Sequence, residues 1–285
     1  MIPAGAPMPP PRNAFTVDVE DWFHMCGAGA SLGLPHWDAL PSRVVATTRW
    51  LLDELDRAAV RATFFVLGWV AERHPALVSE IASAGHDIGS HGHLHLRVYE
   101  LDRRRFVDDL QTSVGALMAA GVDRVNAFRA PEWSINQRAL WALDELCRHG
   151  FTTDASMAPV RVVGSVSCPR YPHIRHTAAG PILECPPLVA DRFGQVMPMG
   201  WGWGLRMSSP RRVLDAIAAA NRRGESSVLM VHPWELDPDP PRVRVPARVW
   251  FSHYFRLDGF RERLRVVLRS GSFGPLSALV ARHGS

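Results

Sequence analysis

Three carboxylates, Asp18, Glu20 and Asp21, stand within four residues in T-V-D-V-E-D-W, directly after an apolar run. On a strand, alternate side chains share a face, so Asp18 and Glu20 point the same way. Asp21 joins them only where the strand has ended. Carboxylates gathered this closely repel one another unless a cation lies between them, which suggests a metal. The stretch S-H-G-H-L-H supplies matching ligands, because His91 and His95 are four apart and one tight turn can aim both at a single ion. Imidazole with carboxylate suits zinc or a similar metal. His93 has the wrong spacing to join both and reads as a supporting or exposed residue. F-R-A-P-E-W contributes Arg129, a planar bidentate donor that can hold a carboxylate ionised and aimed. V-H-P-W-E places His232 where a proton donor would stand. Each cluster also has a plainer explanation: a solvated acidic turn, a structural salt bridge, a histidine bonded to backbone.

Short apolar runs alternate with amphipathic helices along the chain. Strands are expected at 13–19, 60–66, 86–90, 124–129, 182–185 and 226–231. Helices are expected at 42–55, 75–84, 101–120 and 136–149, with another that Ser209 caps and Pro210 begins; glycines close several of them. About seven such alternations predict βα units and a parallel sheet, and a barrel is favoured over an open doubly wound sheet. Asp18, His91, Arg129, Asp154 and His232 all fall at C-terminal strand ends, the face on which such barrels build active sites. Five prolines within 233–246 predict a rigid crossing segment, and 251–285 reads as a helical extension with Leu264, Val267 and Leu268 as its buried stripe. The expected organisation is a Pro-rich start over 1–12, a distorted (β/α)7-type barrel over 13–250 with an inserted loop region near 155–208, and that extension.

All 32 cationic side chains of the 285 residues are arginine. Without a lysine, Schiff-base chemistry and a Walker-A phosphate loop are excluded. Beyond Arg129, the other arginines are expected to be surface charge. A net charge of +4 spread over helix faces argues against nucleic-acid binding. Four scattered cysteines without C-x-x-C spacing predict free thiols in a reducing compartment. The start of the chain has no apolar run to read as a signal peptide, and no stretch approaches a membrane span. These features place the expectation in the cytoplasm or at the inner face of a membrane assembly; they leave the oligomeric state open.

In order and spacing, T-V-D-V-E-D-W, S-H-G-H-L-H, R-A-P-E-W, T-D-A-S and H-P-W-E resemble the motifs of the NodB-homology polysaccharide deacetylases, carbohydrate esterase family 4. The later S-H-Y-F-R-L and R-L-R-V-V-L are similar to the exopolysaccharide-locus subgroup. The resemblance runs from about residue 13 to the end. It implies a distorted (β/α) barrel with Zn²⁺, Co²⁺ or Mn²⁺ held by two histidines and a carboxylate, and an acetylated glycan as substrate. By it, His91 and His95 are metal ligands, Asp18 the base, Arg129 the residue that orients it, His232 the general acid, and Asp154 the partner of that histidine. The chain departs from the family pattern in three places. Its acidic pair is spaced as D-x-E, leaving Glu20 the favoured metal carboxylate and Asp21 the alternative. No tryptophan follows Asp154 at the usual spacing. Seventy-eight positions separate Asp154 from His232, and they include G-W-G-W-G.

The chemistry implied is metal-assisted hydrolysis of an N-acetyl or O-acetyl group. Trp22, Trp133 and Trp234 lie close to proposed site residues, and an indole face stacks on a sugar ring. Trp201 and Trp203, in the glycine-rich stretch, are candidates for a sugar platform or a cover over the barrel rim. Two other functions fit the same motifs: a metal-dependent hydrolase of small cyclic amides or ureides, and a non-catalytic carbohydrate-binding protein.

Overall fold

The computed structural model describes residues 13–27, 32–161, 164–165, 167–192 and 194–283. The Pro-rich start over 1–12 lies outside the described residues. The first half runs β1 (Asn13–Val19), α1 (Val44–Arg57), β2 (Thr63–Val66), α2 (Gly68–Arg73), α3 (Pro75–Ser83), β3 (Asp87–Ser90), α4 (Arg103–Ala119), β4 (Ala127–Phe128), α5 (Trp141–Arg148) and β5 (Thr153–Asp154). The second half runs β6 (His173–Thr177), β7 (Gly180–Glu184), β8 (Val189–Arg192), β9 (Gln195–Pro198), α6 (Gly202–Met207), α7 (Pro210–Arg222), β10 (Val228–Val231), α8 (Ala247–Tyr254), α9 (Phe260–Ser270), β11 (Phe273–Gly274) and α10 (Ser277–His283).

Seven strands pair in parallel in the order β10-β1-β2-β3-β4-β5-β7, and β6 adds antiparallel to β7. The path ends at β10 and β6 without closing among the described residues, so the sheet is a curled half-barrel with helices around it. All seven residues of β1 are buried, as a strand covered on both faces must be. Phe15, Val17 and Val19 face the helix layer with Leu51, Leu55 and Ile81. Ala14 faces inward, in a small-residue layer with Phe65, Ala127, Ala155 and Cys185. On alternation, Thr16 and Asp18 share the inward side.

Helix ends follow local chemistry. Asp102 caps α4 by accepting from the Arg105 N–H at 2.8 Å, and Ser209 caps α7 ahead of Pro210. Two expected strands are shorter than the apolar runs that announced them: β2 begins at Thr63, and β4 is two residues long. Pairing sets these bounds: β2 pairs with β1 and β3 only from Thr63, and β4 pairs with β3 and β5 only through Ala127 and Phe128. The region near 155–208 contains ordered strands: β7 belongs to the main sheet, and β8 and β9 form a separate hairpin.

The C-terminal piece is bound into the barrel. Arg265 of α9 donates to both oxygens of the buried Glu54 on α1, at 2.8 and 2.9 Å. Phe260, Leu264, Val267 and Leu268 are its buried stripe. β11 pairs with the start of β1, and Leu276 and Leu279 fill the end of the half-barrel opposite the site. The Leu276 N–H donates to Thr63 Oγ1 at 2.8 Å.

One feature of the sheet carries a pH signature. Asp154 and Glu184 are register partners across β5 and β7, and both are fully buried. Burial, with Asp154 alongside, pushes the Glu184 carboxyl well above its ordinary range, so the pair retains a proton. A raised native pKa means that the folded state binds more protons than the unfolded one. Stability from this pair is therefore lost as pH rises from about 4, the unfolded carboxyl value, through the raised native value. Glu184→Gln should remove that loss, so the variant gains on the wild type by up to about 1.4 kcal/mol per pH unit within the window. Urea unfolding of both proteins at pH 5 and pH 8 checks this, and parallel pH curves would refute it.

Candidate metal and hydrolytic site

Arg129 organises the barrel interior at the strand ends. Its side chain is 1% exposed. Nη1 donates to Asp18 Oδ1 at 2.7 Å and to Thr16 Oγ1 at 2.8 Å, and Nε donates to the Ala155 carbonyl at 3.1 Å. The guanidinium lies 4.4 Å over the Phe65 ring. Asp18 is thereby held by one charged donor, with its other oxygen turned toward His91 Nε2 at 3.9 Å.

Glu20 Oε1 is the point on which the imidazoles converge. His91 Nε2 lies at 2.9 Å, His95 Nε2 at 3.0 Å and His232 Nε2 at 3.8 Å. Glu20, His91 and His95 form a group able to hold a metal ion, and Asp18, Glu20 and His232 form a second overlapping one. The hydrogen bonding supports that fit. His91 Nδ1 stands 2.8 Å from the Arg129 carbonyl, which only accepts, so Nδ1 carries a proton. With Nδ1 protonated, Nε2 is the nitrogen left to coordinate, and it points at Glu20 Oε1, an arrangement a shared cation would use. As the groups stand, burial raises the Glu20 carboxyl but His95, His232 and His91 outweigh it and hold it well below its ordinary range. Burial lowers His232, while Glu20, Glu235 and Asp18 carry it up to about 9.

The loop bearing the histidines is built for this aim. His95 adopts a left-handed backbone at φ 53°, unusual for a residue with a side chain. Asp109 of α4 accepts from the N–H groups of His93 (2.7 Å) and Leu94 (3.1 Å), fixing the turn. Cys26 Sγ lies 3.5 Å from His95 Nδ1. Glu132 and Trp133, in the turn after Arg129, are also left-handed, and Arg97 holds Glu132 at 2.6 Å. Two consecutive strained residues beside a site fit a turn fixed by its surroundings.

Several sequence expectations are corrected. Asp21 is turned away from Glu20: it accepts from Ser42 Oγ at 2.5 Å and from the N–H groups of Arg43 and Val44, at the start of α1. Once the strand ended, the nearest unsatisfied donors were those of a helix N-terminus. Asp154 accepts from Ser156 and lies beside its register partner Glu184, away from His232. The carboxylate beside His232 is Glu235, whose Oε2 lies 3.1 Å from His232 Nδ1. The turn Pro233–Leu236 folds position 235 back onto 232, so the H-x-x-E spacing was a readable signal for this pair. Trp22 is buried and spends its indole N–H on the Pro41 carbonyl, leaving no face for a sugar. Trp234 is stacked between His232 and His253, at 5.1 and 3.7 Å between ring centres. Trp201 is packed on Trp133 with rings 4.7 Å apart, so this part of G-W-G-W-G covers the rim. Trp203 is half-buried beside the exposed Phe251. Arg206 is as deeply buried as Arg129 and is not surface charge. No helix among the described residues is long and apolar enough to cross a membrane.

Residues 36–151 match the family described as polysaccharide deacetylase, and residues 155–281 match one described as a domain of unknown function (DUF3473). Over 45 residues the chain is 49% identical to a peptidoglycan-N-acetylglucosamine deacetylase of Bacillus cereus, covering 16% of each protein. Over 84 residues it is 31% identical to chitin deacetylase 2 of Saccharomyces cerevisiae, covering 30% of this chain and 27% of that one. The chain thus matches only about a sixth to a quarter of the length of these curated relatives. A crystal structure from Mycobacterium smegmatis, provisionally described as a polysaccharide deacetylase, superposes with a TM-score of 0.61 at 21% identity, over 97% of this chain and 92% of that one.

The geometry separates the two adjacent acids. Glu20→Gln should weaken divalent-metal binding at least tenfold while leaving the fold intact, because a neutral amide replaces the charged donor between two imidazoles. Asp21→Asn should leave metal affinity unchanged and lower stability by about 1 kcal/mol through loss of helix-start bonds. Metal titration followed calorimetrically, with thermal melts of both variants, checks the pair; the reverse pattern would restore Asp21 as the ligand.

Proposed function

From a chain that belongs, through residues 36–151, to the polysaccharide deacetylase family, we propose a metal-dependent deacetylase that removes N-acetyl or O-acetyl groups from a glycan. The observation that carries this reading is the convergence of Asp18, Glu20, His91, His95 and His232 at one mouth of the half-barrel, with Arg129 bonded to Asp18. His91, His95 and Glu20 are the proposed ligands of a zinc ion, or of cobalt or manganese. When bound, such an ion supplies Lewis-acid polarisation of the acetyl carbonyl and a water acidic near neutrality.

The chain's own groups divide the remaining work. Asp18, aimed by Arg129, accepts the proton of the attacking water through Oδ2, the oxygen Arg129 leaves free. His232 presents Nε2 to the site while Nδ1 rests on Glu235, and donates its proton to the departing amine or alkoxide. Against burial, Glu20, Glu235 and Asp18 carry His232 up to about 9, which suits it to hold the proton it must give up. The resemblance of the later motifs to the exopolysaccharide-locus subgroup supports an exopolysaccharide or its oligosaccharide precursor as substrate. Four free cysteines are consistent with work in a reducing compartment such as the cytoplasm.

Acetate release from N-acetylglucosamine oligomers and O-acetylated glycans, beside a panel of cyclic amides and ureides, tests the reading. Activity should fall to background on metal stripping and return with zinc. Asp18→Asn and His232→Ala should each lower kcat by roughly 100-fold or more. Turnover of the cyclic amides alone would move the protein to another C–N hydrolase class, and no turnover in the metal-loaded protein would defeat catalysis.

A further inference from the structure

Arg206, on α6, joins three parts of the chain that lie far apart in sequence. Its Nη1 donates to the carbonyls of Phe255 (2.6 Å) and His253 (3.2 Å), and its Nη2 donates to Ser252 (2.5 Å). These carbonyls close the last turn of α8, where a cation is favoured. With the fork fixed there, Nε faces Glu235 Oε1 at 3.0 Å. The N–H lies off that line, so the contact is an ion pair that sets position without a straight hydrogen bond.

Glu235 is held on every side. Its Oε2 accepts from the His232 backbone N–H at 3.0 Å and stands 3.1 Å from His232 Nδ1. At Gly202, the first residue of α6, a Cβ would fall 1.8 Å from Oε2 and 2.0 Å from Oε1. The helix backbone is therefore the floor on which the carboxylate lies, and only glycine leaves room for it. Neither the G-W-G-W-G stretch nor a buried arginine beside it is needed to hold the metal or the base.

We propose that Gly202 and Arg206 fix the Glu235 carboxylate and through it aim the His232 ring, so that the inserted region and α8 complete the acid side of the site. Glu235 and Arg206 are positioning residues in this scheme. The inference rests on the deacetylase reading for its kinetic consequence and on geometry alone for the ring's placement.

Gly202→Ala is the sharpest probe, because it displaces the carboxylate without removing a charge. It should lower kcat roughly 10–100-fold, the usual cost of losing an outer partner of a site group. KM should change less than about threefold, and bound zinc should be unchanged. Glu235→Gln, nearly the same size, should behave alike and serves if Gly202→Ala fails to fold. Arg206→Lys should lower kcat in the wild-type background and add no further loss in the Glu235→Gln background. Independently of turnover, long-range proton–nitrogen NMR should show the His232 ring signals moving in Gly202→Ala or Glu235→Gln while those of His86 stay in place. Unchanged His232 signals, or independent multiplying losses from Arg206→Lys and Glu235→Gln, would overturn the relay. If the wild type releases no acetate at all, the deacetylase reading fails and the NMR result still decides the relay.

Discussion

A single buried guanidinium connects most of the strands that form the site. Arg129 bonds to Thr16 and Asp18 on β1, lies over Phe65 on β2, reaches the Ala155 carbonyl after β5, and through its own carbonyl fixes His91 after β3. Removing a cation from water costs several kcal/mol unless charge and hydrogen bonds replace the lost hydration. Here Asp18, a hydroxyl and a carbonyl do so at Nη1 and Nε, and the ring face beneath adds attraction. The arrangement constrains both sides. Asp18 cannot turn away without leaving a buried charge uncompensated, and the backbone carbonyl of the same residue, Arg129, holds His91 Nδ1. The proposed base and one proposed metal ligand are thus tied to the same rigid point, a stronger source of precision than contacts within a loop.

What could be read from the sequence divides along a physical line. Side chains projecting from strand ends were legible, because alternation sets the face and the barrel sets the end. Asp18, Glu20, His91, Arg129 and His232 needed no long-range information. Asp21 and Asp154 failed for the opposite reason. Asp21 sits two residues past the regular strand and Asp154 within a strand pairing, where the nearest partner decides the outcome. For Asp21 that partner is the open start of α1, twenty-two residues away in sequence. For Asp154 it is Glu184, on a strand that short motifs do not connect to it. Asp109, which fixes the histidine turn from α4, left no local trace at all. Glu235 was the missed opportunity, since a proline turn brings positions three apart together.

The tryptophans show how composition misleads without packing. An indole near a site residue suggests a sugar platform, but an indole is also the largest apolar body available to fill a rim. Trp22, Trp133, Trp201 and Trp234 are each at most 9% exposed. Trp234 braces His232 from one side through stacked rings, while Trp133 and Trp201 brace each other. Exposed aromatic surface lies instead on α8, at Trp250 and Phe251, with Trp203 of the insertion beside Phe251.

The lysine-free composition acquires a meaning at Arg206. This position asks one side chain to face a carboxylate at 3.0 Å while donating to three separate carbonyls. A planar fork with five N–H groups spans those directions at once; an ammonium concentrates three donors at a single point and cannot. The same reasoning applies at Arg129, where a carboxylate, a hydroxyl and a carbonyl must be reached from one buried group. Coding bias can account for arginine on the helix faces, where lysine would serve equally. At these two buried positions the geometry itself requires the guanidinium, so substitution by lysine there is a change of shape before it is a change of charge.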